Sequence, residues 1–237
     1  MDMVSGILHG SLAHHWRALL APAPVWDPPA VPTLVVVPHP DDEVLSTGGL
    51  ISRQRARGVQ VRVLAVTDGE AAYPDQSTLA AVRRAEQISA LHHLGVPEHA
   101  VRRLGLPDGA AADHEQVLAD HIAAQASDCG LIVAPWTGDH HPDHEACGRA
   151  AVKASLHTGA VLVHGLFWAW HHASAPDLAG LALVRMRMDE EEQRRRTRAL
   201  TEHRSQITTD LVEVPILSPT DLEPAGWAAE YYIRAVA

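Results

Sequence analysis

Cysteine is nearly absent from this chain. Its two copies in 237 residues, Cys129 and Cys147, form no CxxC pair, which excludes a disulfide framework and suits a reducing, cytoplasmic setting. Long apolar runs are missing as well. The longest near the N-terminus, Ala18 to Val25, is short, broken by prolines and preceded by no basic segment, so neither a membrane span nor a signal peptide is expected. Positive charge is scarce: 19 Lys and Arg stand against 29 Asp and Glu, for a formal charge of -10. That balance argues against nucleic acid or an anionic membrane as partner. The basic run Arg194-Arg195-Arg196 follows Asp189-Glu190-Glu191-Glu192 and predicts a solvated helix with acid-to-base pairs one turn apart. No internal repeat and no low-complexity segment is found.

Histidine, by contrast, is plentiful at 17, and in two places it gathers with acids and proline. The first is Val35-Val36-Val37-Pro38-His39-Pro40-Asp41-Asp42-Glu43. Three β-branched residues predict a buried strand, and Pro38 and Pro40 bracket a rigid turn that ends it. One imidazole and three carboxylates crowded at a strand end repel one another unless a cation sits among them, and a metal is the simplest cation to propose. A plainer role for Asp41 or Asp42, capping the helix that starts near Glu43, stays open at this point. The second place repeats the pattern: Leu131-Ile132-Val133-Ala134-Pro135, then Asp139-His140-His141-Pro142-Asp143-His144. In an open parallel sheet all strand carboxyl ends lie on one edge, so two such turns can meet there.

The rest of the chain supports such a sheet. Residues 1–32 read as an N-terminal extension, with a short amphipathic helix within Ile7 to Leu20 and then a proline-rich arm through Pro22, Pro24, Pro28, Pro29 and Pro32 that Trp26 could pin down. Residues 33–237 read as one domain. Strands are expected at Leu34–Val37, Val61–Val66, Val101–Leu104, Leu131–Ala134, Val161–Trp168 and Leu181–Met186. Helices are expected at Glu43–Arg57, Ser77–Leu94, His114–Ser127, Glu145–Leu156 and Asp189–Arg204. This alternation predicts an α/β fold, a Rossmann-like three-layer α/β/α domain with a mostly parallel sheet. No GxGxxG follows the first strand, so the nucleotide fingerprint of such folds is lacking. Gly48 and Gly49 inside a helix imply close packing on the sheet or on a ligand.

His39-Pro40-Asp41-Asp42-Glu43 paired with His141-Pro142-Asp143-His144 resembles the PIG-L/LmbE-like family of zinc-dependent N-deacetylases, with similarity running from about Thr33 to the C-terminus. The resemblance implies a hydrolase that removes the acetyl group from an N-acetylated amino sugar of GlcNAc type, a small-molecule substrate. It implies His39, Asp42 and His144 as metal ligands, zinc or another divalent ion such as Fe(II), with Asp41 as general base. His141 would then face the developing oxyanion, with Asp143 holding its other nitrogen and keeping it protonated. Arg84 could bind sugar hydroxyls or a phosphate, or pair on the helix surface with an acid such as Glu86. Asp108, in the turn Leu106-Pro107-Asp108-Gly109, could accept from sugar hydroxyls or be purely structural. Trp136, Trp168 and Trp170 offer faces for a ring or for the core. His203-Arg204-Ser205-Gln206 resembles a family motif near the substrate entrance. Rival readings are an amidase of another acyl amide, a non-haem iron oxygenase, to which two His and a carboxylate also suit, and a binding protein without turnover.

Overall fold

The computed structural model describes residues 12–73, 77–210 and 212–235. Strand and helix alternate along the chain as α1 (Leu12–Leu20), β1 (Thr33–Val37), α2 (Asp42–Ala56), β2 (Val61–Ala65), α3 (Leu79–His93), β3 (Val101–Arg103), α4 (Glu115–Gln125), β4 (Leu131–Pro135) and α5 (Pro142–Thr158). There follow β5 (Val161–Gly165), the short α6 (Ala169–His172) and α7 (Ala175–Leu178), β6 (Leu183–Arg187), α8 (Glu190–Glu202), the short α9 (Arg204–Ile207) and β7 (Ala229–Arg234). β1 is buried throughout. Its Leu34 and Val36 join one core with residues of α4 and α5, and Val35 and Val37 join another with residues of α2, α3 and α8. A strand covered on both faces must be apolar at every position, as this one is.

The strands form one sheet in the order β3-β2-β1-β4-β5-β7-β6. The pairings β1-β2, β2-β3, β1-β4 and β4-β5 are parallel, and β7 enters antiparallel between β5 and β6. The chain winds outward from β1 to β3, then returns to lay β4 on the other side of β1. The gap between the carboxyl ends of β1 and β4 is therefore the switch point at which such sheets bind ligands. Register pairs Thr33 with Leu131 and Val35 with Val133, so the two His/Pro/Asp turns leave the sheet side by side.

β7 was not expected as a strand. Its short alternating pattern puts Glu230 and Tyr232 inside, and an interior glutamate disguises a strand in the sequence. α2 explains the glutamate. The helix is broken at Thr47 (φ -148°, ψ 15°), leaving orphan backbone groups on both sides of the break. Arg196 donates to the Val44 and Leu45 carbonyls, while Glu230 accepts from the Gly49 and Leu50 amides at 2.6 and 2.9 Å. The two side chains lie 3.6 Å apart. A Cβ on Gly48 would stand 3.0 Å from Arg196 Cγ, and one on Gly49 would collide with Met188, so both glycines serve packing of α2 on the fold. Arg196 thus corrects the reading of 194–196 as solvated: Arg194 and Arg195 pair with Glu190 and Glu191 on the surface, but Arg196 is buried.

The N-terminal arm lies against the domain. Trp16 is buried and its indole donates to the Trp170 carbonyl at 3.0 Å, the Pro24–Trp26 backbone pairs with Arg185 of β6, and Trp26 meets Tyr232 edge-on. The expected helix from Ile7 is seen from Leu12 onward; its first residues fall outside the described ones. Among the described residues no helix is long and apolar enough to cross a membrane.

Candidate active site

The turn after β1 folds back on itself. The His39 amide donates to Asp42 Oδ2 at 2.9 Å, and the same oxygen lies 3.2 Å from His39 Nδ1. Asp41 occupies the N-cap position of α2, yet its side chain makes no capping bond. Its backbone sits at φ 132°, a region that disfavours a side chain and costs on the order of 1–3 kcal/mol. The carboxylate instead faces Arg83 of α3, whose Nη2 lies 3.2 Å from Asp41 Oδ2 and 2.8 Å from the Pro40 carbonyl, while Nη1 donates to the Gly69 carbonyl. Gly69 has φ +64°, and a Cβ there would overlap the guanidinium, so only glycine lets Arg83 reach this place.

The second turn opens α5, with Pro142 in its first turn and His141 at its N-cap, where His141 Nδ1 accepts from the Asp143 amide at 3.3 Å. Asp143 points elsewhere. Its carboxylate accepts from the Gly109 and Ala111 amides and lies 3.2 Å from His39 Nε2. Asp108 Oδ1 stands 3.1 Å from the same nitrogen, while its Oδ2 accepts from the Ala71 amide. His144 Nδ1 meets Asp139 at 2.8 Å. Asp139, fully buried, also accepts from the amides of Phe167, Trp168 and Ala169, so one carboxylate fixes both the His144 ring and the start of α6. His144 Nε2 is buried with no hydrogen-bond partner, although Asp42 Oδ2 lies only 3.2 Å away.

Acids dominate this cluster. Burial would strip the proton from His144, but Asp42 and Asp139 overcome it and raise the ring to about 9. His39 is likewise raised against burial by Asp108, Asp143 and Asp42. Asp42 is lowered despite burial by His144 and His39. Asp41 is pushed up to about 6 by burial, with Arg83 opposing and Asp42 adding to the rise. Without a metal, protons on imidazole supply the positive charge the acids demand; a divalent ion would displace them. The donor types fit such an ion: ring nitrogens of His39, His141 and His144 lie within 4.8 Å of one another, as do donors of His39, Asp108 and Asp143, and the buried His144 Nε2 has no hydrogen-bond partner to compete for it.

These groups line a cavity of about 350 Å³, together with Ala71, Ala72, Arg83, Phe167, Trp168, Gln206, Ile216 and Leu217. His39, Asp41, Asp42, Asp108 and His141 are on it, with His144 and Asp143 packed behind. Two expectations need correction. Arg84 is exposed, outside the cavity, and pairs with Asp68 at 2.7 Å; the arginine at the site is Arg83. Asp143 does not hold the His141 ring through its carboxylate, and His141 is lowered to about 4, chiefly by burial and then by the charges of His144 and His39. Of the three tryptophans, Trp168 faces the cavity and Trp170 is in the core. His140 is exposed. Sequence reasoning gave no role to Arg83 or Asp139, whereas Gln206, from the motif expected near the substrate entrance, does line the cavity. The spacing Leu79, Arg83, Gln87, Ala90, Leu91 marks the buried face of α3, a signal that could have singled out Arg83 over its neighbour.

Known proteins bear on this geometry. The chain is 33% identical over 132 residues to the probable N-acetyl-alpha-D-glucosaminyl L-malate deacetylase 2 of Bacillus subtilis (strain 168), an alignment covering 51% of this chain and 59% of that protein. It is 33% identical over 158 residues to the 1D-myo-inositol 2-acetamido-2-deoxy-alpha-D-glucopyranoside deacetylase of Mycobacterium sp. (strain KMS), covering 52% of this chain and 50% of that one. The chain thus spans about half to three fifths of the length of these curated relatives. In fold it is similar to the antimicrobial reagent A40926 pseudoaglycone deacetylase Dbv21, with a TM-score of 0.68 and 24% identity over 87% of this chain and 97% of that one. The model of the GlcNAc-PI de-N-acetylase family, PIG-L, matches residues 34–155, just over half the chain and the span that carries both His/Pro/Asp turns, and the chain belongs to that family.

Proposed function

We propose that this protein is a metal-dependent N-deacetylase that hydrolyses the acetamide of an N-acetylated amino sugar of GlcNAc type, with His39, Asp42 and His144 holding the ion and zinc as that ion. The observation that carries the reading is the approach of Asp42 Oδ2 to within 3.2 Å of both His39 Nδ1 and His144 Nε2, beside an Asp41 that neither caps its helix nor joins this set. Two imidazoles and one carboxylate are a donor set for catalytic zinc. When bound, the ion supplies an acidified water and a Lewis acid for the amide carbonyl. The names of the curated relatives, deacetylases of glucosaminyl compounds, point to the same chemistry.

The chain's own residues do the rest. Asp41, held by Arg83, takes a proton from the attacking water and returns it to the leaving nitrogen, which cannot depart as an anion. His141 accepts from the Asp143 amide at Nδ1, so its neutral ring carries the proton on Nε2 and can donate to the carbonyl oxygen as negative charge develops there. Asp143 and Asp139 orient the His39 and His144 rings from behind. We place the enzyme in the cytoplasm.

Dialysis against a strong chelator should abolish amine release from N-acetylglucosaminides, and zinc should restore it. His39→Ala, Asp42→Ala and His144→Ala should each lower metal content measured by emission spectroscopy. Stoichiometric zinc in all three would sink the ligand set. Asp41→Asn should retain metal and lose roughly 10²-fold or more in turnover, and near-normal turnover would remove Asp41 from the mechanism.

A further inference from the structure

Two chemistries line the cavity. His39, Asp41, Asp42 and Asp108 make part of the lining acidic and imidazole-rich, whereas Phe167, Trp168, Ile216 and Leu217 are apolar, and Phe167, Trp168 and Leu217 pack in one cluster. Phe167 and Leu217 are buried, but Ile216 keeps 41% of its surface exposed. That exposure is held in place. The Ile216 amide donates to Tyr73 Oη at 2.8 Å, the Tyr73 hydroxyl donates to the Ser205 carbonyl at 3.0 Å, and the Leu217 amide donates to the Gln206 carbonyl. Trp168, half-buried, lies nearly parallel to His141 (20°) and to His172 (26°), and Asp139 fixes its backbone. An apolar surface held by hydrogen bonds beside a reacting centre binds a complementary group at a reduced ordering cost.

Charge narrows the group further. Among the described residues lining the cavity, Arg83 is the only arginine or lysine, and its guanidinium is committed to Gly69, Pro40 and Asp41. Arg84 is paired with Asp68 and Arg204 with Asp210, both away from the lining. Apart from the imidazoles and the ion they would hold, an anionic substituent would meet the carboxylates of Asp41 and Asp108 and no uncommitted arginine or lysine.

We propose that the apolar lining formed by Trp168, Ile216 and Leu217 is a specificity subsite for an uncharged group with an apolar face, carried by the amino sugar on its glycosidic oxygen or as an acyl chain longer than acetyl. The proposal rests on the deacetylase reading.

The test measures amine release by the zinc-loaded full chain from N-acetylglucosamine glycosides bearing methyl, phenyl or L-malate, and from the methyl glycoside N-acylated with acetyl or hexanoyl. kcat/KM should rise at least about tenfold from methyl to phenyl or from acetyl to hexanoyl, and the malate glycoside should be no better than the methyl one. A gain confined to one series assigns the subsite to the glycosidic or to the acyl side. Ile216→Lys changes an exposed position and should shift the phenyl-to-malate ratio toward malate by roughly tenfold; Trp168→Ala should flatten the ratio between phenyl and methyl. Release that is equal across neutral substrates, or fastest from the malate glycoside, overturns the subsite while leaving the deacetylase intact. No release from any substrate overturns the deacetylase reading itself.

Discussion

His141 sits where burial and its neighbours disfavour a cation, although Asp42 and Asp143 oppose them. Burial and the neighbouring imidazoles hold it at about 4, and the Asp143 amide occupies Nδ1 as donor. The group lowered below its ordinary 6.5 takes up a proton only in acid, so at neutral pH the ring is already uncharged. His141→Ala should therefore keep its metal, lose on the order of 10²-fold in turnover as an oxyanion donor does, and retain whatever basic limb the pH–rate profile shows. A basic limb that vanished with the ring would return His141 to the role of imidazolium. Asp143→Asn belongs to a different part of the site, because its carboxylate faces His39 Nε2. It should weaken zinc binding by about 10- to 100-fold, as loss of an orienting partner does, in a competition titration against a chelating dye; unchanged affinity would detach Asp143 from the metal.

α2 shows how an element carries the site. Its first turn holds Asp42 and Glu43, and the break at Thr47 separates that turn from the remainder, which packs on the sheet. Arg196 from α8 and Glu230 from β7 close the two exposed ends of the break. Removing Arg196 leaves Glu230 buried without its counter-charge and the Val44 and Leu45 carbonyls without their donor, so Arg196→Ala should cost about 3–5 kcal/mol in denaturant unfolding. A loss under 1 kcal/mol would mean that the broken helix holds without its clamp. Behind the same turn His203 lies 3.6 Å from Glu43, both fully buried, and Gln87 donates to Glu43. α3, α8 and α9 thus all bear on one loop.

At the scale of the molecule, the acidic cage ties stability to pH. His144 is raised from 6.5 to about 9 in the folded protein. A raised histidine contributes its full stability below pH 6.5 and loses it as pH climbs through 9. The amount is on the order of 3 kcal/mol, and His39 acts in the same direction. Asp41, raised to about 6, finishes its titration near the low end of this window and adds only a little to the fall there. Metal-stripped protein should melt about 10 °C lower at pH 9.5 than at pH 6.5, whereas zinc-loaded protein, in which the ion replaces those protons, should show little of that fall. Equal slopes with and without metal in calorimetry would contradict the cage.

Much of this was open to reading in the chain itself. Apolar β-branched runs such as Val35-Val36-Val37 must be buried on both faces, so the alternation they take part in entails a parallel layered sheet. Two strands each ending in His, Pro and Asp place those side chains on a common edge whatever the loops between them do. Strand neighbours, side-chain direction and burial are set only when the chain packs, because they depend on contacts between residues far apart in sequence. Nothing local tells Arg83 from Arg84, or assigns Asp143 to His39 rather than to its neighbour His141, since a turn of helix or a rotation about one bond exchanges them. Glu230 reads as a terminal surface acid until the break in α2, some 180 residues earlier, supplies the two amides that draw it inside. The sequence determined the chemistry and the edge on which it gathers; the tertiary structure decided which group faces which, because only close packing fixes the distances on which hydrogen bonds and charge depend.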